Sequence, residues 1–147
     1  NEVLTLHQGI RQMSKNKILP RVNLQNHELD TITSNTIFKK PTVVYFWSQT
    51  QMNHFRSTIQ KVNELKLEFP NYDFIGISIQ PYNEIVTQVH RMMQIDQNKQ
   101  YAFLNFESAS KKWVLRLLNK AIIVDKNGVI IDGFANFSSS NFSKELK

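Results

Sequence analysis

The sequence predicts an α/β domain in which helices flank a mixed sheet, and three observations carry that prediction. Thr42 to Trp47 and Tyr72 to Ile79 are nearly continuous apolar, β-branched and aromatic runs, the pattern of strands covered on both faces. Between and after them lie stretches with helical apolar spacing. The last third instead holds two apolar runs, Ala121–Val124 and Val129–Phe134, separated by Asp125-Lys126-Asn127-Gly128, which reads as a β-hairpin with Gly at the turn. The order β-α-β-α-α-β-β places parallel crossovers first and an antiparallel hairpin last.

In chain order, residues 1–17 read as an amphipathic helix or linker with Val3, Leu6, Ile10 and Met13 on one face, and residues 18–147 as the domain proper. Ile18 to Leu24 is a short extended segment, Gln25 to Leu29 a polar turn region, and Thr31 to Phe38 weakly patterned. Phe55, Ile59, Val62, Leu65 and Phe69 define the clearest helix, with Thr50 as its expected N-cap and Pro70-Asn71 as its stop. Glu84 to Gln94 predicts a second helix with Ile85, Val89, Met92 and Met93 inward. Tyr101 to Asn105 is a short extended piece. Ser108 is expected to cap a third helix running through Trp113, Val114, Leu117 and Leu118. The Ser-rich stretch from Asn136 to Asn141 predicts a loose or capping tail.

Composition bounds the function. At 147 residues, with 41% apolar residues and ten Phe, the chain suits one domain with a single core. No apolar run approaches the roughly 18–20 residues that span a bilayer. Asn1 stands where an initiator Met would, without a signal-peptide pattern, so a processed chain or an excised domain is expected. The formal charge of +6 raises nucleic acid or an anionic surface as a partner. The basic residues are dispersed in pairs (Lys15/Lys17, Lys39/Lys40, Lys111/Lys112) without a zinc-finger or RNP-like motif, which reads as a solvated surface and argues against nucleic acid. There is no cysteine, which removes disulfides, thiolate metal sites and thiol catalysis together.

Four short segments resemble the thioredoxin superfamily, and more narrowly its TlpA/ResA-type, AhpC/TSA-like domains of the bacterial cell envelope. They are Ile18-Leu19-Pro20 with Val22-Asn23-Leu24, Lys40 to Ser48, Tyr101 to Leu104, and Ile123 to Gly128, covering roughly residues 18–135. The resemblance implies a thioredoxin-like three-layer α/β/α sandwich and an oxidoreductase ancestry in the periplasm or envelope. It also implies where the working parts would stand. The two cysteines of the family's Cys-x-x-Cys fall at Gln51 and His54, a buried acid found in some relatives falls at Tyr45, and the cis-proline falls at Asn119. In a domain of bacterial appearance, the glycosylation-like triplets Asn136-Phe137-Ser138 and Asn141-Phe142-Ser143 read as coincidence.

The substitutions decide the chemistry. Disulfide exchange needs a thiolate at a helix N-terminus and a second thiol to resolve the mixed disulfide. The Gln51 amide is neither nucleophile nor leaving group, and peroxidase chemistry on this fold fails for the same reason. Without proline, the peptide at Asn119 is expected to be trans. His54, in the first turn of the helix, is expected to be exposed and neutral, a polar replacement rather than a base or ligand. His7, His27 and His90 lie on separate elements and form no metal pair. Trp47 is expected to pack beneath the site, and Met52, Met92 and Met93 to fill core.

The reading that follows is a redox-inactive thioredoxin-like module, without cofactor or metal. It would serve protein interaction or a structural role in a larger envelope protein, with Trp47, Gln51, His54 and Asn119 as the degenerate site and a protein partner or upstream domain as its contact. A repurposed non-thiol enzyme or metal site around Gln51 and His54 is one alternative. A basic module for anionic polymers is another.

Overall fold

The computed structural model describes residues 2–147; the side chains of residues 2–5 and 7, including the expected inward Val3 and also His7, lie outside the described residues. The elements are α1 (Glu2–Gln12), β1 (Asn23–Gln25), β2 (Thr31–Thr33), β3 (Thr42–Trp47), α2 (Met52–Glu68), β4 (Asp73–Ser78), α3 (Glu84–Met92), β5 (Gln100–Phe103), α4 (Phe106–Trp113), β6 (Lys120–Val124) and β7 (Ile130–Asn136). Seven strands form one sheet in the order β2-β1-β5-β4-β3-β6-β7. The parallel pairs are β3 with β4 and β4 with β5, whereas β1, β2, β6 and β7 join antiparallel.

Alternation along the central strands splits the core between the two faces. Val44, Phe46, Ile75, Ile77, Phe103, Ile122 and Val124 point to the side covered by α4, where Trp113 and Met13 are fully buried. Val43, Tyr45, Trp47, Phe74, Ala121 and Ile123 point to the other side, against Phe55, Ile59, Val62 and Leu65 of α2 and Val86 of α3. The hairpin turn is closed by Asp125, whose carboxylate accepts from the N–H groups of Asn127 and Val129, with Gly128 at φ +79°. Along the outer strand, Asn16 N–H donates to the Ile130 carbonyl, Ile130 N–H donates to the Lys17 carbonyl, and Ile18 bridges to Val129.

Several local expectations are corrected. Thr50 does not cap α2: its hydroxyl pairs with Ser48 Oγ at 2.8 Å, and Gln51 takes the cap position without a side-chain bond. On α3, Ile85 and Met92 face solvent, at 55% and 81% exposure, while Val86 and His90 are buried and Val89 and Met93 partly so. Asn83 caps this helix by accepting from Val86 N–H, which fixes its phase, and the inward stripe includes a histidine that hydropathy counts as polar.

Asn105, not Ser108, caps α4, its carboxamide oxygen accepting from Ser108 N–H at 3.0 Å. That helix ends at Trp113 because Val114 adopts a left-handed φ of 53°, so Leu117 lies on a loop and is 70% exposed. The segment after Asn136 is packed rather than loose. Phe137, Phe142 and Leu146 are buried against the α2 side, and the Lys61 ammonium donates to the carbonyls of Phe137 and Ser139.

Candidate degenerate active site

The β3–α2 junction sits at the carboxyl ends of the parallel strands, where open α/β sheets place their ligands. Strand β3 ends with Trp47, fully buried and stacked on Phe55 with ring centroids 4.0 Å apart. It packs beneath the junction as expected, but its indole N–H has no partner.

Ser48, the next residue, is buried and organises a neutral hydrogen-bond network. Its Oγ accepts from the Gln80 side-chain amide at 2.7 Å and from Thr50 N–H at 3.2 Å. Gln80 Oε1 in turn accepts from Gln49 N–H at 3.1 Å, and the buried Ser78 hydroxyl donates to the Gln80 carbonyl at 2.9 Å. Asn83 donates across to Gln49 at 3.2 Å. Amides and hydroxyls thus tie the ends of β3 and β4 together without a charged group. Ser48, Ser78 and Gln80 are not among the site residues expected from the sequence; the signal available was a polar residue closing each of two buried strands, Ser48 after β3 and Ser78 at the end of β4.

The four predicted positions divide. Gln51 is exposed at the α2 cap, its N–H donating to the Ser48 carbonyl at 3.1 Å. His54 is half-buried rather than exposed. Its Nδ1 is buried without a partner, and burial holds the imidazole below its ordinary pKa, so it is neutral near pH 7. That agrees with the expected charge state, though the cause is desolvation.

Ser48 does not bond His54, and among the described residues no three His, Cys, Asp or Glu side chains converge as a metal site. Asn119 is half-buried; its carbonyl accepts from Phe137 N–H at 2.7 Å, and no described peptide bond is cis. What remains open beside the junction is a cavity of 320 Å³ lined by Gln51, Phe46, Ile79, Phe106 and the loop Leu115–Leu118. Of the four predicted residues only Gln51 lines it.

Next to that loop lies Lys120, a buried lysine that the sequence did not flag. Its ammonium donates to the carbonyls of Trp113 and Val114 and lies 4.5 Å above the Phe134 ring. Burial lowers its pKa to about 8, partly opposed by Asp132. It closes the C-terminus of α4, where a cation meets unpaired carbonyls and the negative end of the helix dipole.

No protein-family model matches the sequence, and no curated protein matches it. Solved structures do. A candidate thiol-disulfide oxidoreductase from Bacteroides vulgatus superimposes with a TM-score of 0.75 at 12% identity, covering 92% of this chain and 96% of that one. A domain of a candidate thiol-disulfide isomerase from Cytophaga hutchinsonii gives 0.74 at 17% identity, covering 90% of each chain. The C-terminal domain of a candidate thiol-disulfide oxidoreductase from Bacteroides thetaiotaomicron gives 0.66 at 18%, covering 91% and 93%. The chain therefore has the thioredoxin-like fold of thiol-disulfide oxidoreductase domains, and it has that fold without a single cysteine.

Proposed function

We propose that this chain is a redox-inactive thioredoxin-like domain that binds a protein partner, serving as one module of a larger bacterial cell-envelope protein. One observation carries the reading: Ser48, Thr50, Gln49 and Gln80 fill the junction that would hold a nucleophile with a neutral network of amides and hydroxyls, while the largely apolar cavity next to it, lined also by Arg116, stays open. This site keeps shape without reactivity. Leu117, exposed on the rim, and the walls of Phe46, Ile79 and Phe106 suit an apolar side chain of an extended polypeptide. Two of the similar solved structures are themselves single domains of longer proteins, which supports the modular part of the proposal.

The test has two arms on the purified chain. Insulin disulfides and peroxide are expected to be turned over at the buffer rate. In ¹H–¹⁵N spectra, an extended peptide carrying Leu or Phe side chains is expected to shift Gln51 and Leu115 to Leu118 saturably, and Leu117→Asp is expected to abolish the shifts. Turnover above background, or spectra that ignore such peptides, would sink the proposal.

A further inference from the structure

Between the β1–β2 ribbon and α4 lies a cavity of 350 Å³ that shares no residue with the junction cavity. The chain ahead of β1 is fastened from two sides to form it. From α4, Trp113 Nε1 donates to the Pro20 carbonyl at 2.7 Å, and the Lys112 ammonium donates to the Arg21 carbonyl at 3.2 Å. From beyond β2, Ser34 Oγ accepts from Val22 N–H at 3.0 Å. Val22 and Ala109, both buried, are the apolar part of the lining. The rest is Arg21, Asn23, Thr33, Asn105, Ser108 and Lys112, and each of these side chains can donate a hydrogen bond. None is a carboxylate. All but the half-buried Thr33 are exposed, so the donors are within reach of a ligand. Among the described residues neither Arg21 nor Lys112 has an acidic partner. Asn105 commits its carboxamide oxygen to Ser108 N–H, which caps α4 and leaves the Asn105 NH₂ to face outwards. The positive charge here therefore belongs to side chains and not to the helix end.

We propose that this cavity binds a sugar phosphate, a phosphate monoester carried on a small hydroxylated ring. Charge selects the phosphate. Arg21 and Lys112 bring two positive charges to one cavity, against the nearly two negative charges of a monoester at neutral pH. A guanidinium also meets phosphate oxygens with two parallel donors, which a point charge does not. The neutral groups select the body of the ligand. Asn23, Thr33 and Ser108 can each donate and accept, as sugar hydroxyls require of their partners. The space agrees, since 350 Å³ lies at the lower end of the roughly 300–1,000 Å³ of small-ligand pockets and exceeds what a bare oxyanion needs. Because the cations are exposed, binding is weakened by salt. This site is independent of the partner-binding reading and stands or falls separately.

The probe is glucose 6-phosphate, titrated into the full chain at low ionic strength and followed by ¹H–¹⁵N spectra. Saturable shifts are expected at Asn23, Ser108 and Lys112 and at the Asn105 side-chain amide, with a Kd in the millimolar range or tighter. Glucose, which lacks the anion, and inorganic phosphate, which lacks the ring, are each expected to bind at least about tenfold more weakly. Glucuronate, with a single negative charge, is expected to fall between them and the phosphate ester. Arg21→Gln and Lys112→Gln, both at exposed positions, are each expected to weaken binding about tenfold, while Lys39→Gln, elsewhere on the basic surface, leaves it unchanged. The proposal is overturned if glucose 6-phosphate leaves these resonances unmoved. It is equally overturned if inorganic phosphate or glucuronate binds as tightly, or if the Arg21 and Lys112 variants keep full affinity.

Discussion

The imidazole of His90 lies 5.4 Å from the indole of Trp47, both fully buried, and neither of its ring nitrogens has a hydrogen-bond partner. Tyr82 closes the other side with an edge-on contact at 6.0 Å. Burial, with a smaller contribution from His27, lowers the His90 pKa from 6.5 to about 4. An unfolded chain takes up this proton as pH falls through about 6.5, and the folded chain only near 4. The contribution of His90 is therefore intact above 6.5 and is lost as pH falls towards 4, by up to roughly 3 kcal/mol. Urea unfolding followed by tryptophan fluorescence at pH 4.5 and 7.5 should show this loss, and His90→Phe should remove most of it. An unchanged pH slope in that variant would show that other groups carry the acid sensitivity.

Two glycines should respond differently to alanine. At Gly76 the new methyl meets a carboxamide oxygen and an aromatic ring under 3 Å away, and thermal unfolding should register a loss of about 1–3 kcal/mol or more. At Gly128 the nearest atom is 3.5 Å distant, so only the positive φ opposes the substitution, at about 1 kcal/mol. Equal losses at the two sites would contradict this distinction.

The C-terminal segment should prove part of the fold. Ending the chain after Asn136 removes Phe137, Phe142 and Leu146, each contributing about 1.5–3 kcal/mol by burial, a large share of a typical domain's stability of about 5–15 kcal/mol. The shortened chain should be unfolded or aggregated by circular dichroism and gel filtration. Lys61→Met keeps the stem packing but loses the bonds to two carbonyls, with an expected cost of about 1–3 kcal/mol in urea unfolding.

Installing a cysteine pair at the junction tests the frame directly. In Gln51→Cys/His54→Cys, thiols would stand at the cap and first turn of α2, where free N–H groups and the helix dipole favour a thiolate. Alkylation rates against pH should place the pKa of the cysteine at 51 below the free-thiol value of about 8.5, and mild oxidation should close an intramolecular disulfide. A thiol of ordinary reactivity that resists pairing would argue that the junction no longer has redox geometry.

Much of the fold was legible because the central strands are buried on both faces. Thr42 to Trp47 is read and observed with the same limits, and the hairpin turn follows from Asn127-Gly128. Burial determined elsewhere in the chain was not legible. His90 on the inward face of α3 and Phe142 in the tail are covered by partners distant in sequence, and hydropathy spacing within one element cannot anticipate them. At the junction, the missing cysteines could be read directly. The Ser48–Gln80 link could not, since its partners are separated by 32 residues and either alone looks like loop polarity.

The bonds from Asn16 and Lys17 to Ile130 occupy main-chain groups that β7 would otherwise present to solvent. An extended peptide seeking to lengthen the sheet from that side meets occupied backbone at Ile130, where β7 begins, and the opposite border, β2, is only three residues long. Strand addition and edge-to-edge stacking of copies are thus hindered at the start of β7 and limited in length at β2.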